Sequence, residues 1–393
     1  MIKNMDEPVV ITGLGIVSSI GIGKKDFSLN LRNGKDGFSL IEDFDISSYQ
    51  TKKAAKVKGF NPKEFISPVK LRRLDKASQF TIAASKMAIE DGKVNLNKFD
   101  RKRIGIILGS GFGGLESSRL FHKDQVLKGP SNISPMLFPN TVPNAAASYT
   151  SIELKITGIN TTFVQSFCSA EAAIYFAFLK LKQNKADMIL AGGVDELSPM
   201  LFHAYNHLGY LTKNKPSPFN KDGDGFLPGE GAGILLLERY SDAKKRGARI
   251  YGKITSLISK SYGNKGNDFL KEGIREIVKD DFPKFISASA NGDKVSDKIE
   301  AEAIHDVFKD KDIYVVALKS LIGEGAAMGA QRIVAASLML NETFIPPTLN
   351  FKKPIFEPFL NIITSPKEDY PIDSILHISF SRFSCAYLIM LNK

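Results

Sequence analysis

The sequence predicts an α/β fold: short β-branched runs alternate with stretches of helical period, Gly- and Pro-containing turns separate them, and the composition can fill a large core. The 393 residues are 43% apolar, with 32 Gly and 18 Pro. Val9 to Thr12 reads as the first strand, and Ile104 to Gly109, Met188 to Gly192, Gly233 to Glu238 and Ile313 to Leu318 follow as further strands. Helices are expected over Asp75 to Asp91 and Ser169 to Lys182, where small and apolar residues recur at helical spacing. Between them, Phe112 to Thr150 is rich in turn residues and of mixed period, and is expected to cover part of the surface beside a binding site. Arg249 to Asn267 looks like a second entry into alternating strand and helix. The chain therefore divides into a larger half, residues 1–248, and a smaller one, residues 249–393, with no flexible linker and no short-period repeat.

No run reaches the roughly 20 apolar residues of a membrane helix, and the N-terminus lacks the apolar core of a signal peptide, so a cytoplasmic protein without membrane insertion is expected. The 53 Lys and Arg exceed 42 Asp and Glu by 11. This excess, with clusters at Lys70 to Arg73 and Lys244 to Arg246, favours an acidic partner. No nucleic-acid motif accompanies the charge, and an acidic carrier protein would be attracted equally well.

Gly109-Ser110-Gly111-Phe112-Gly113-Gly114 fits G-x-G-x-x-G formally, but no second strand with a terminal acid follows, so a tight turn near a pocket is the preferred reading. Asn220 to Gly225 imitates the start of a calcium loop. The Glu needed at loop position twelve is missing, because Gly231 stands there and Glu230 is one place early. The five histidines are scattered, and neither a metal nor a cofactor is expected.

Two cysteines cannot form a disulfide framework, so Cys168 and Cys385 are buried small hydrophobes or chemically active. Thr161 to Ala173 runs from an extended segment into a small-residue helix, with Cys168 at the junction. A thiol there would feel the positive end of the helix dipole, which lowers its pKa, and free backbone N–H groups could bind an oxyanion.

Five segments carry a resemblance: Val10 to Ser18, Asn132 to Pro135, Ala186 to Gly193, Pro218 to Phe226 and Lys319 to Gly323. In this order they resemble the elongating β-ketoacyl-[acyl-carrier-protein] synthases, from about Pro8 to the end of the chain. The resemblance implies a thiolase-like, five-layered α-β-α-β-α fold of two related halves, a homodimer or a heterodimer with a ketosynthase-like subunit, an acyl-carrier protein as donor, and Cys168 as the acyl-accepting nucleophile. Family members pair that cysteine with two histidines, and neither is present. Ungapped alignment through Asp297 and Lys298 puts Ser289 at the first, and Lys319-Ser320-Leu321-Ile322-Gly323-Glu324 puts Glu324 at the second. The family's S-F-G-F-G-G-T-N loop has become Ser379-Phe380-Ser381-Arg382-Phe383-Ser384-Cys385-Ala386, so the gating residue is Arg382 or Phe383.

The family's histidines donate hydrogen bonds to the enolate left when malonyl-carrier protein loses carbon dioxide. Ser289 can donate one hydrogen bond; ionised Glu324 can donate none and repels the enolate. Losing one such donor typically costs about 100- to 1000-fold, so ordinary decarboxylative elongation is expected to be badly impaired. The leading expectation is an atypical acyltransferase or condensing enzyme of secondary-metabolite biosynthesis: Cys168 takes an acyl group from carrier protein or coenzyme A, Glu324 acts as base, and Lys319 balances its charge. Phe112, at the family's acyl-pocket end, and Phe167, where Ala is usual, would narrow the channel for a short or flat acyl group. The competing expectation is a non-elongating subunit resembling a chain-length factor; an ordinary 3-oxoacyl synthase is the third.

Overall fold

The computed structural model describes residues 7–262, 268–279, 281–326, 328–357, 360–382 and 384–393. Ten strands form two five-strand arrays. The first array comprises β1 (Val9–Ser18), β2 (Ile104–Gly109), β3 (Asn160–Phe163), β4 (Met188–Asp195) and β5 (Gly231–Arg239). The second comprises β6 (Gly252–Ser261), β7 (Phe285–Ser287), β8 (Tyr314–Val316), β9 (Ser374–Ser381) and β10 (Cys385–Asn392).

In space the first array runs β1-β5-β4-β2-β3 and the second β6-β10-β9-β7-β8, with the short strand Asn361–Ile362 beyond β8. In each array the first two pairings are antiparallel and the next two parallel. The arrays thus repeat one topology. They meet where Val9 to Ile11 pairs antiparallel with Gly252 to Ile254.

Six helices supply the remaining layers: α1 (Lys76–Asp91), α2 (Ala145–Leu154), α3 (Ser169–Lys182), α4 (Asp268–Val278), α5 (Lys294–Phe308) and α6 (Met328–Glu342). Alanine-rich faces of α1 and α2 pack on the outer side of the first array through Ala83, Ala84, Ala88 and Ala147. Both arrays turn their inner sides onto α3 and α6, burying Ala173, Ile174, Ala177, Ile333, Val334 and Leu338 between them. The outer side of the second array is covered by α4 and α5, through Phe269, Ile274, Ile304 and Phe308. The order is α-β-α-β-α, the thiolase-like arrangement. The middle helices are buried on nearly all sides, which is why α3 and α6 show little amphipathic patterning and are rich in Ala.

Most predicted strands hold, with longer ends where both faces are buried: Val9 to Thr12 extends to Ser18 and Met188 to Gly192 extends to Asp195. Ile313 to Leu318 contracts to Tyr314–Val316. Helix α1 begins one residue late because Asp75 is its N-cap, accepting a hydrogen bond from the Ser78 N–H at 2.8 Å. The middle stretch forms no strand and lies largely at the surface, as expected; beyond that it contains the helix Leu115–Lys128 and most of α2, and its turn residues mark the short 3₁₀ segments between them. The strand expected from Arg249 is β6, while residues 263–267 at the end of that stretch lie outside the described residues. Among the described residues no helix is long and apolar enough to cross a membrane.

Candidate functional site

The junction before α3 is a tight elbow. After β3, Ser166 adopts a left-handed backbone with φ of 54°, a 3₁₀ turn covers Ser166–Cys168, and Cys168 is the N-cap residue of α3. The Ser169 hydroxyl clasps the turn, accepting from the Gln165 N–H at 2.7 Å and donating to the Ser166 carbonyl at 2.8 Å. Gly109, at the end of β2, lies directly against it: a Cβ there would sit 2.2 Å from the Ser169 carbonyl carbon. The first glycine of the G-x-G-x-x-G run is therefore required by close backbone packing at the elbow.

Cys168 is fully buried. Its sulfur lies 3.8 Å from the Ser379 hydroxyl, in a buried cluster with Cys385, Ala172 and Tyr387. The neighbouring Cys385 thiol, burial and the nearby Glu171 carboxylate push the Cys168 thiol well up, and the Ser379 hydroxyl offsets only part of this. The direction is opposite to the one a helix N-terminus alone favours. Two N–H groups of the elbow are also already bonded: Cys168 N–H to the Gln165 carbonyl at 3.4 Å and Ala170 N–H to the Ala326 carbonyl at 3.3 Å.

Behind the sulfur lies an ionic chain that the sequence reading missed. Glu171, three residues after Cys168 on α3, accepts from His377 Nε2 at 3.1 Å, and Arg332 of α6 donates to His377 Nδ1 at 3.2 Å and to the Ile378 carbonyl. All three side chains are buried. Burial and the Arg332 charge push the His377 pKa down to about 4, so the ring is neutral and donates to Glu171. Burial pushes the Glu171 carboxyl up, but His377 and Arg332 outweigh it and the net shift is downward. The geometry is simple: Cys168 and Glu171 share one helix face at i, i+3, and His377 and Ser379 share one strand face at i, i+2. An acid inside Ser169-Ala170-Glu171-Ala172-Ala173 and a histidine inside an apolar strand were the available signals.

The second environment is an open cavity of about 400 Å³, lined among the described residues by aromatic rings on one side and polar groups on the other. Ser166 and Phe167 line it, whereas Cys168 does not. Phe167 stacks on Tyr205 with centroids 6.0 Å apart, and Phe112 meets Tyr205 edge-on at 6.3 Å. Phe112 is 42% exposed, so it forms the rim and not the blind end of the cavity.

Ser289, Lys319 and Glu324 are brought together on the polar side. Glu324 accepts from Lys319 Nζ at 2.7 Å, Asn291 Nδ2 at 2.5 Å and the Gly325 N–H at 2.9 Å. The lysine and glutamate side chains are only 4% and 2% exposed. The Ser289 hydroxyl accepts from Lys319 Nζ and the Phe380 N–H, each at 3.4 Å, which leaves its own proton to donate. Lys319, Asn291 and Gly325 engage the Glu324 carboxylate, which lines this cavity where Cys168 does not. Arg382 lines the cavity, with Nη1 3.9 Å from Asp293. Phe383 lies outside the described residues.

Beneath Ser289 two acids face inward from α5. Asp297 accepts from the N–H groups of Phe219, Asn291 and Gly292 at 2.8 to 3.0 Å, and Glu300 from Ser289 N–H at 2.7 Å. Burial raises their pKa values to about 7 and about 8. They hold the Ser289–Gly292 loop in place. Their i, i+3 spacing was visible, but their burial was not. In the calcium-like loop, Asp224 accepts instead from the Thr212 hydroxyl, and among the described residues no His, Cys, Asp and Glu cluster could hold a metal ion.

Family models match two stretches of the chain: β-ketoacyl synthase, N-terminal domain, over residues 6–243, and β-ketoacyl synthase, C-terminal domain, over residues 279–352. The chain belongs to the β-ketoacyl synthase family. It is 30% identical over 395 residues to the 3-oxoacyl-[acyl-carrier-protein] synthase 2 of Staphylococcus aureus (strain COL), covering 94% of each chain. With the Coxiella burnetii enzyme of the same name it shares 32% over 396 residues, covering 95% of each. Among solved structures, the ishigamide ketosynthase/chain length factor superposes with a TM-score of 0.93 at 27% identity, over 99% of both chains. A β-ketoacyl synthase from Burkholderia phymatum STM815 shares the fold, with a TM-score of 0.89 at 24% identity over 98% of this chain and 99% of its own.

Proposed function

We propose that this ketosynthase-type protein serves carrier-protein-dependent fatty-acid or polyketide assembly as a non-elongating subunit, paired with an active ketosynthase as a chain length factor is. One observation carries the reading: the sulfur and the polar pocket are separate. Cys168 is sealed under the elbow, while the positions aligned with the catalytic histidines hold Ser289 and a Glu324 engaged by Lys319. A carboxylate with its lone pairs occupied cannot donate to an enolate, and a buried thiol whose pKa is raised supplies little thiolate. The likeness to a ketosynthase/chain length factor over nearly the whole chain supports the pairing, and the relatives named for acyl-carrier-protein substrates support the carrier. In this reading Phe112, Phe167 and Arg382 shape a wall beside the growing chain, and Lys319, Glu324 and Ser289 hold that wall.

Acyl transfer through Cys168 is the second reading, favoured by the cysteine's place at the N-terminus of α3. In that case Ser289, with a proton left to donate, serves the acyl oxygen, and Phe112 and Phe167 limit acyl length. The test is intact-protein mass and carbon dioxide release after mixing the purified chain with acyl- and malonyl-carrier proteins, beside Cys168→Ala and Glu324→Gln. The expected result is neither adduct nor carbon dioxide, with stable association when the chain is co-expressed with a ketosynthase. An acyl adduct that requires Cys168 overturns the proposal in favour of acyl transfer, and carbon dioxide release restores ordinary elongation.

A further inference from the structure

The cysteine compartment carries an inference that does not depend on whether Cys168 ever accepts an acyl group. Cys168 and Cys385 come from the two halves of the fold, 217 positions apart, and are the only cysteines in the chain. They pack in one buried cluster, between the N-terminus of α3 and the hairpin that joins β9 to β10. Their thiols are close enough to perturb each other's ionisation in opposite senses. Cys168 is completely enclosed, whereas Cys385 is 6% exposed and follows Ser384, an exposed residue of the hairpin turn.

We propose that Cys168 and Cys385 form a reversible thiol–disulfide pair that, when oxidised, ties the elbow to the terminal hairpin and removes the Cys168 sulfur from any acyl chemistry. The oxidant is a small disulfide such as oxidised glutathione. Cys385 reacts first, because it is the more accessible sulfur and the neighbouring Cys168 thiol favours its thiolate. Its thiolate attacks one sulfur of the oxidant, an S–S bond breaks, and one small thiolate leaves with the electron pair. Cys168 then gives its proton to that thiolate and attacks the Cys385 sulfur, and the second small thiolate leaves and is protonated by the Cys385 proton lost at the outset. Two protein thiols and one disulfide become one protein disulfide and two small thiols, with two electrons passing to the oxidant. Closing the bond brings the sulfurs, already neighbours in one cluster, to about 2.05 Å.

The experiment treats the full-length protein with oxidised glutathione, alkylates it under denaturing conditions, and maps its peptides without reduction. The expected result is loss of both alkylatable thiols, a peptide carrying Cys168 joined to one carrying Cys385, no covalent dimer, and recovery of both thiols with dithiothreitol. Oxidised Cys385→Ser and Cys385→Thr should each keep the Cys168 thiol. Their melting temperatures should not respond to the oxidant, whereas that of the parent chain should rise. Two thiols surviving oxidation, or glutathione adducts without the cross-linked peptide, would overturn the proposal. Because the variants retain Cys168, either outcome is read independently of acyl loading.

Discussion

Residues 166–168 are consecutive, yet they face two environments: Ser166 and Phe167 border an open cavity, while Cys168 turns into a buried compartment with Cys385 and Ser379. Each environment holds a buried ionic group, and the two are built differently. The Lys319–Glu324 pair has a carboxylate satisfied by an ammonium, an amide and a backbone N–H. The Arg332–His377–Glu171 chain keeps its imidazole neutral and, among the described residues, leaves Arg332 Nε and Nη1 without a hydrogen-bond partner. A satisfied pair fixes a wall, whereas an incompletely satisfied chain in low dielectric shifts the proton equilibria of everything packed on it, the Cys168 thiol included. The cavity is thus shaped for contact, and the compartment is tuned for sulfur.

The largest effect expected comes from breaking the satisfied pair. Lys319→Met leaves Glu324 buried without its counter-charge and should lower unfolding free energy by about 3 to 5 kcal/mol, with Lys319→Met/Glu324→Gln recovering most of the loss. Urea denaturation of the three proteins measures this; an equal loss in the double variant would mean that the pair is not what holds the wall.

The acids beneath Ser289 provide the next comparison. Their folded pKa values, about 7 for Asp297 and about 8 for Glu300, are raised by burial above the unfolded range. The stability they contribute is therefore fully present at low pH and lost as pH rises through those values. His377 acts in the opposite sense: its folded pKa of about 4 is depressed, so its contribution is lost as pH falls below about 6.5. Between pH about 6.5 and 8.5 these two acids act together with Glu196, a third buried carboxyl that desolvation raises to about 8, and stability should fall by about 4 to 5 kcal/mol. Thermal unfolding across this window should show the decline, and Glu300→Gln should remove about 2 kcal/mol of it.

Smaller effects test the elbow and the rim. Ser169→Ala removes both bonds that clasp Gln165 and Ser166, and should cost about 1 to 2 kcal/mol in chemical denaturation while speeding alkylation of Cys168. Unchanged alkylation would show that the clasp does not seal the sulfur. Phe112→Ala should change stability by only about 0.5 kcal/mol, since the ring is partly exposed. In a complex with an active ketosynthase it should lengthen the product chain, measured by mass spectrometry; an unchanged product would remove Phe112 from the wall.

Strands buried on both faces and helices with clear caps were legible as continuous apolar runs, and the order of family segments placed the elbow, Ser289, Lys319 and Glu324 within one site. What the sequence could not show was which of these face each other. Lys319 and Glu324 are close in sequence and do pair, but Cys168 was grouped with Glu324 by alignment although its contacts are Ser379 and Cys385. The thiol's raised pKa was hidden for the same reason: a helix N-terminus is a local feature, whereas burial and a second sulfur 217 positions away are not.

By itself the sequence determined the alternation of strand and helix and the family, since each follows from residue types at fixed spacing. Only the tertiary structure decided that the nucleophile position is sealed, that its neighbour is another cysteine, and that Glu324 is engaged by Lys319. These depend on how β9 and β10 cross the ends of α3 and α6, because hydrogen bonding, desolvation and charge act through a few ångströms of space and take no account of distance along the chain.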